Sequence, residues 1–273
     1  MNVDEYAVFG NPVAHSRSPD IHHRFADQTA QSLHYSKQCV AVGDFDVSAR
    51  RFFAAGGKGL NITVPFKLEA YRFATSLTKR ARQAGAVNTL SLQPDGSILG
   101  DNTDGVGMVN DIVEHLGWSL KGQRILLLGA GGAIRGVLGP VLLQQPEHLV
   151  IANRTASKAE ALAKAFDGDV HVTGCGYDDL KGFEFDVVIN GTSASLTGDL
   201  PPLPEGLLAK NAVCYDMMYG AEPTVFMTWA ATQQAKVSDG LGMLVGQAAE
   251  AFYGWRGVKP SVVPVIRMIR QQL

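Results

Sequence analysis

The chain has 273 residues, 46% hydrophobic and 18% charged, with a formal net charge of -2. That length holds two compact domains, and the composition excludes a disordered chain. The charge offers nothing to a nucleic acid or an anionic membrane, and no apolar run reaches the length of a membrane span. The opening MNVDEYAVFG lacks a basic segment followed by a long apolar one, so a cytoplasmic location is expected. The three cysteines, Cys39, Cys175 and Cys214, are isolated and odd in number, which argues against a disulfide framework; all three read as reduced core or half-core residues. With no CxxC or HExxH and seven scattered histidines, metal catalysis has no support.

Residues 5–9 read as a strand, and 19–29 as a helix with Ser18 as N-cap and Pro19 at the first helical position. A second strand is predicted near 34–42, and Asp44 is placed to cap a helix that stops before Gly56 and Gly57. Residues 60–64 alternate apolar and polar, the period of a half-buried strand, so Asn61 and Thr63 leave the same face. Pro65 ends that strand and suits the first turn of a helix, which puts Lys67 in that turn. A cation there meets the positive end of the helix dipole. Stability does not ask for it. Helical segments follow to about residue 84, and then 88–92 and 98–100 flank Pro94-Asp95-Gly96-Ser97, a hairpin signal. Asp104 comes in a glycine-flanked turn before an amphipathic helix over 106–115. Lys67 and Asp104, with amide and hydroxyl side chains beside them, have the character of an acid/base pair in its substrate-holding shell.

Six short apolar strands follow, at 124–128, 149–152, 170–173, 185–189, 212–216 and 236–239, with helices between most of them. That is the pattern of a doubly wound nucleotide domain. Two helical stretches, near 242–255 and 260–271, close the chain, and no internal repeat is present. Gly129-Ala130-Gly131-Gly132-Ala133 comes straight after the first of these strands and opens a helix. There it lets a pyrophosphate approach backbone N–H groups closely. The third position of this fingerprint, normally Gly or Ala, is Ile134. The second strand ends at Asn153-Arg154-Thr155, where an NAD domain would carry an acid for the ribose 2′-hydroxyl. Arg154, backed by Thr155, Ser157 and Lys158, suits a 2′-phosphate instead, so the cofactor is read as NADP. Asn190-Gly191-Thr192-Ser193 and Asp216-Met217-Met218-Tyr219 follow later strands, at the edge where ligands of open α/β sheets lie.

Taken together and in order, these motifs resemble the shikimate dehydrogenase family along nearly the whole chain. Gly10-Asn11-Pro12-Val13-Ala14-His15-Ser16-Arg17-Ser18-Pro19 is similar to that family's N-terminal motif, in which two serines, here Ser16 and Ser18, bind the substrate carboxylate. Asn61, Thr63, Lys67, Asn88 and Asp104 fall on its substrate positions. Gly240-Leu241-Gly242-Met243-Leu244-Val245-Gly246-Gln247 resembles its C-terminal motif, which contributes a substrate-binding glutamine, here Gln247, while Gly240 falls among the cofactor positions. The resemblance places Thr192, Ser193 and Met217 along the cofactor and brings Tyr219 toward the substrate. Gly191 departs from it, since the family usually has a bulkier residue there.

The resemblance implies two α/β domains: a discontinuous substrate domain, 1–104 plus 240–273, and a Rossmann-like NADP domain, 105–239. The C-terminal helices then return to the first domain. It further implies NADPH-dependent reduction of 3-dehydroshikimate to shikimate by a monomer or homodimer, with no metal. Which of Lys67 and Asp104 carries the transferred proton stays open. Two rival readings stand beside it. A quinate/shikimate dehydrogenase would more often use NAD, against which Arg154 argues; a non-catalytic sensor would be expected to lose Lys67 or Asp104, and both are present.

Overall fold

The computed structural model describes residues 3–166, 170–192, 194 and 198–273. It divides into two compact units, residues 1–107 with 244–272 and residues 108–243 with 273.

In the first unit six strands among the described residues form one sheet: β1 (Asp4–Gly10), β2 (Leu33–Cys39), β3 (Gly59–Ile62), β4 (Ser76–Leu77), β5 (Thr89–Leu92) and β6 (Ile98–Asp101), in the order β2-β1-β3-β5-β6-β4. β1 runs parallel to β2 and β3, while β5 is antiparallel to both β3 and β6. Ala7 and Phe9 of β1 join a core with Leu60, Ile62 and Phe66, whereas Tyr6 and Val8 face the other way onto Tyr35 and Trp255. The alternation that sends Leu60 and Ile62 into this core turns Asn61 to the opposite face. That alternation puts a polar side chain on the face of β3 turned away from this core.

Four helices border this sheet: α1 (Ser18–Thr29), α2 (Phe45–Ala54), α3 (Lys67–Phe73) and α4 (Lys79–Ala84). The C-terminal helices α9 (Leu241–Arg256, from Leu244 onward) and α10 (Val263–Arg270) return to this unit. Trp255 donates to the Leu90 carbonyl at 3.2 Å, and Phe252 packs edge-on against Phe25. Each phenylalanine buried this fully stabilises the unit by roughly 1.5–3 kcal/mol.

Several sequence expectations are corrected in this unit. Ser18 is the first residue of α1 and not its cap; the cap position is Arg17, and the Ser18 N–H is taken by Ser16 Oγ at 3.3 Å. Asp44 precedes α2 without a side-chain cap bond. Thr63 lies just past β3, in the turn closed by the Phe66 N–H on its carbonyl, so α3 opens at Lys67 and Pro65 stays outside it. The two-residue strand β4 had no signature in the sequence. Cys39 is exposed at the end of edge strand β2, not part of a core.

In the second unit β7 (Arg124–Leu128), β8 (His148–Ala152), β9 (Val172–Cys175), β10 (Phe185–Asn190), β11 (Leu208–Asp216) and β12 (Lys236–Ser238) form a sheet ordered β12-β11-β10-β7-β8-β9. All neighbours are parallel. In chain order this is 3-2-1-4-5-6, with its reversal between β7 and β10. α6 (Gly132–Leu142), α7 (Ala156–Lys164) and α8 (Val225–Thr232) cover the sheet, so β7 is buried on both faces: Ile125 and Leu127 in one core, Leu126 and Leu128 in the other. Two-sided burial is why these strands read as apolar runs. β9 sits two residues later than its predicted span, and β11 starts earlier, at Leu208. Among the described residues no helix is long and apolar enough to cross a membrane.

The helix expected over 106–115 begins at Asp104 as α5 (Asp104–Asn110), and its last turn, Asp111–His115, is π-helical. Within the second unit that turn carries a buried carboxylate. Asp111 accepts from the Tyr215 hydroxyl at 2.8 Å and sits 3.2 Å from His115 Nδ1, while Gly242 leaves room for it. Burial pushes the Asp111 carboxyl above its ordinary 3.8, with Asp239 adding to the rise and Tyr215 and His115 opposing it. A carboxyl that holds its proton more tightly folded than unfolded loses stabilising power as pH rises through its folded pKa. Relative to Asp111→Asn, which cannot ionise, the parent should therefore lose stability as pH climbs from 3.8 through the raised folded pKa, then level off. Melting temperatures of both proteins between pH 4 and 7 check this; a constant difference would refute it.

Candidate active site

The first unit gathers most of the predicted substrate residues. Lys67, at the start of α3, and Asp104, at the start of α5, meet at 2.6 Å between Nζ and Oδ2, with side chains 32% and 17% exposed. The helix dipole that disfavours Lys67 favours Asp104, whose carboxylate lies at a helix N-terminus. Asn102 braces that turn, accepting from the Asp104 N–H at 3.2 Å and donating to the Ala86 carbonyl.

Asn88, buried just before β5, ties this pair to the rest. Its Oδ1 accepts from the Thr103 N–H at 2.9 Å, which orients the amide. Its Nδ2 then donates to Asp104 Oδ1 at 2.8 Å, with Gln247 Oε1 at 3.3 Å. Gln247 reaches this point because α9 crosses α5 at Gly107, where an added Cβ would fall 2.3 Å from the Gln247 backbone nitrogen. Its own Nε2 is anchored on the Leu244 carbonyl at 2.8 Å. Asn61, 5% exposed, donates toward Thr89 Oγ1 and the Asn88 carbonyl. Thr63 packs over Gly10, where a side chain on the glycine would collide with it. Ser16, on the loop into α1, and Ser18, the first residue of that helix, stand together, their hydroxyls 3.1 Å apart. The cluster thus offers a cation, a carboxylate, three amides and three hydroxyls: enough to bind a small polyhydroxylated acid and move a proton on it.

The second unit carries the residues predicted for the cofactor, and Tyr219, which is partly buried on the loop after β11. Gly129 takes φ +105° as β7 turns into the loop, a conformation that favours glycine. Gly131 and Gly132 have open space where side chains would stand, and Ala130 and Ala133 complete the loop. Backbone N–H groups at the start of α6 can therefore be approached by a pyrophosphate, so the site fits a dinucleotide. Asn153, Arg154 and Thr155 leave the end of β8, the Asn153 N–H bonding the Cys175 carbonyl at 3.1 Å. Thr155 precedes α7 without using its side chain as a cap, and Lys158 lies in that helix's first turn. Arg154 is exposed, and its charge reaches Tyr177: burial pushes that phenol up while Arg154 draws it down. Tyr177 went unnoticed in the sequence, although its place just past β9 puts it at the same sheet edge.

Asn190 and Asp216, at the ends of β10 and β11, were also missed as organisers. Asn190 Oδ1 accepts from the Thr192 N–H and hydroxyl, and its Nδ2 donates to Asp216. Asp216 in turn accepts from the Met218 N–H and the Thr224 hydroxyl. Together they hold both strand-end turns, Thr192 on one and Met217 on the other. The Gly240 N–H bonds the Met218 carbonyl at 3.0 Å, and its Cα lies too near the Met217 backbone for any side chain. Ser193 lies outside the described residues.

The two departures, Ile134 and Gly191, turn out to be one feature. A Cβ at Gly191 would fall 2.4 Å from Ile134 Cδ1 and 3.0 Å from Met217 Sδ, and Ile134 is fully buried. The isoleucine fills the space that a side chain at 191 would occupy. Gly191→Ala should destabilise the second unit by about 1–3 kcal/mol through overpacking. In an Ile134→Ala background the same substitution should cost close to nothing. Denaturant melts of the four proteins test this, and additive effects would show that the residues do not interlock.

Three family profiles match the chain: the shikimate dehydrogenase substrate binding domain over residues 8–90, shikimate/quinate 5-dehydrogenase over 111–197, and the shikimate 5′-dehydrogenase C-terminal domain over 240–268. The shikimate dehydrogenase (NADP(+)) of Cellvibrio japonicus is 64% identical over 271 residues, covering 99% of this chain and 98% of that protein. The solved structure of an Ael1 enzyme from Pseudomonas putida matches with TM-score 0.93 at 47% identity over 97% of each chain. The shikimate 5-dehydrogenase of Thermus thermophilus, solved with NADP(H) and shikimate, matches with TM-score 0.87 at 30% identity, covering 99% of this chain and 100% of that one.

Proposed function

The chain belongs to the shikimate dehydrogenase family, and from that premise we propose that Lys67 and Asp104 are the acid/base pair of its reaction, the reversible NADPH-dependent reduction of 3-dehydroshikimate to shikimate. The observation that carries the pair is the 2.6 Å contact between them, braced by Asn88. NADPH, when bound, supplies the hydride that the ketone carbon gains. The oxygen must gain a proton, and its developing charge needs a donor meanwhile. Lys67 is that donor, and Asp104 holds its ammonium in place. In the reverse direction the pair takes the proton back.

Ser16 and Ser18 are the proposed ligands of the substrate carboxylate. Asn61, Thr63, Asn88, Asp104, Gln247 and Tyr219 are proposed for its ring oxygens, with Asn88 also orienting Asp104. The glycine-rich loop 129–133, Asn153, Arg154, Thr155, Lys158, Thr192, Ser193, Met217 and Gly240 would hold NADP, the 2′-phosphate falling to Arg154. The division of labour, substrate on 1–104 with 240–273 and cofactor on 105–239, is supported by the profile matches to a substrate binding domain and a C-terminal domain. Free thiols at Cys39, Cys175 and Cys214 suit the reducing cytoplasm, where the protein would act as a monomer or homodimer.

One assay tests the reading. Protein is mixed with shikimate and NADP, then with quinate or NAD exchanged in, and formation of the reduced nicotinamide is followed. Shikimate with NADP should react fastest. No turnover with that pair would leave a binding protein, and equal use of quinate or NAD would favour the broader quinate/shikimate type.

A further inference from the structure

Tyr35 is a large polar side chain of the first unit that this chemistry leaves unused. It is 2% exposed, and its hydroxyl donates to Asn61 Oδ1 at 2.7 Å. The register explains why a tyrosine stands there. Tyr35 on β2 pairs with Tyr6 on β1, and Tyr6 pairs with Gly59 on β3, two residues before Asn61 on the same face. Two strand spacings come to about 10 Å, so a donor on β2 reaches Asn61 only at the end of a long, rigid side chain.

The ring is clamped. His22 stacks on it with centroids 4.4 Å apart and planes within 7°, and Phe252 and Trp255 close around His22. His22 is fully buried, with no well-formed hydrogen bond to either ring nitrogen. Burial pushes its pKa down to about 3 despite the Asn61 amide nearby, so it serves as a neutral, flat wall. Burial also pushes the Tyr35 phenol well above its ordinary range, against the pull of the Ser18 hydroxyl. Tyr35 therefore remains a donor.

With Oδ1 held by Tyr35, the Asn61 amide has one orientation. Its Nδ2 points to Thr89 Oγ1 at 3.2 Å and the Asn88 carbonyl at 3.4 Å, long contacts that a substrate hydroxyl can replace. We propose that Tyr35 is a positioning residue for the substrate, fixing which end of the Asn61 amide is the donor before the substrate arrives. This rests on the reading of Asn61 as a substrate ligand. The effect falls on binding, not proton transfer, because Tyr35 makes no hydrogen bond to Lys67 or Asp104 among the described residues.

The test is a double-mutant cycle on steady-state kinetics: parent, Tyr35→Phe, Asn61→Ala and the double variant. Tyr35→Phe should raise KM for shikimate about tenfold, the scale of one oriented hydrogen bond. It should leave kcat within about threefold and KM for NADP unchanged. In the Asn61→Ala background it should add nothing. A parental KM in Tyr35→Phe beside an impaired Asn61→Ala overturns the proposal, as does a Tyr35→Phe effect that persists undiminished without Asn61. A fall in kcat with both Michaelis constants raised, the mark of general loss of packing, overturns it too. Parental KM in Asn61→Ala would instead remove Asn61 from the substrate site and take the proposal with it, which separates the two failures.

Discussion

Lys67→Ala should lower kcat by ~10²–10⁴, the usual contribution of a positioned acid/base group, while the protein folds as before. The fold is expected to survive for three reasons. Lys67 is 32% exposed, and among the described residues its side chain bonds only to Asp104. It stands at a helix start where a cation is disfavoured, and alanine is the best helix former. Asp104 keeps the Asn88 donor at 2.8 Å and its own helix N-terminus, so losing Lys67 does not strand a buried charge. Melting temperature and KM for NADP should therefore stay near parental while turnover collapses. Normal turnover in a folded Lys67→Ala protein would remove Lys67 from the chemistry and leave Asp104 as a substrate ligand.

Arg154→Asp should reverse the cofactor preference. The substitution exchanges a partner of the 2′-phosphate for a carboxylate that repels it and can accept from a 2′-hydroxyl. Loss of one hydrogen bond to a charged group is worth roughly 1.5–3 kcal/mol, and repulsion adds to it. Affinity for NADP should fall at least about tenfold, with NAD holding steady or improving. Because Arg154 is exposed and belongs to the second unit, KM for shikimate and the fold should barely move. The ratio of kcat/KM for the two cofactors, in variant and parent, is the measurement. An unaltered ratio would mean that Arg154 is a solvated surface residue and that Thr155 or Lys158 holds the phosphate.

What could be read from the sequence follows from how each signal arises. β7 was visible because a strand buried on both faces leaves an unbroken apolar run, and Gly129 was visible because it follows that run at once. Lys67 stood out through conflict: nothing local favours a lysine there. β4, two residues long, has too few positions to show any period. Ser18 was misread because a serine before proline has the form of a cap, whereas the bond that decides the matter comes from Ser16, outside the helix. Cys39 was taken for core because a cysteine usually is; its place on an edge strand depends on the sheet order. Tyr35 was missed, as were the organising bonds of Asn190 and Asp216, for a related reason. A buried polar residue in a strand looks like an interruption of the apolar pattern, and its partner lies on another strand, so only the register reveals the pair. Asn88 was assigned to a substrate position by resemblance, but its hold on Asp104 and Gln247 needed the geometry.

The pairing of Ile134 with Gly191 also bears on ancestry. Where 191 carries a bulkier residue, an isoleucine at 134 has no space to enter, so that order of change leads through a strained, overpacked protein. The opposite order opens a void beside a small residue at 134, and a missing methyl or two is worth about 1–2 kcal/mol, within the roughly 5–15 kcal/mol margin of a folded domain. Of the two orders, shrinking position 191 before isoleucine enters at 134 is the one that avoids an overpacked protein. The same asymmetry applies to chimaeras: a strand-end loop grafted from a relative with a large residue at 191 will fit this chain only if position 134 is reduced along with it.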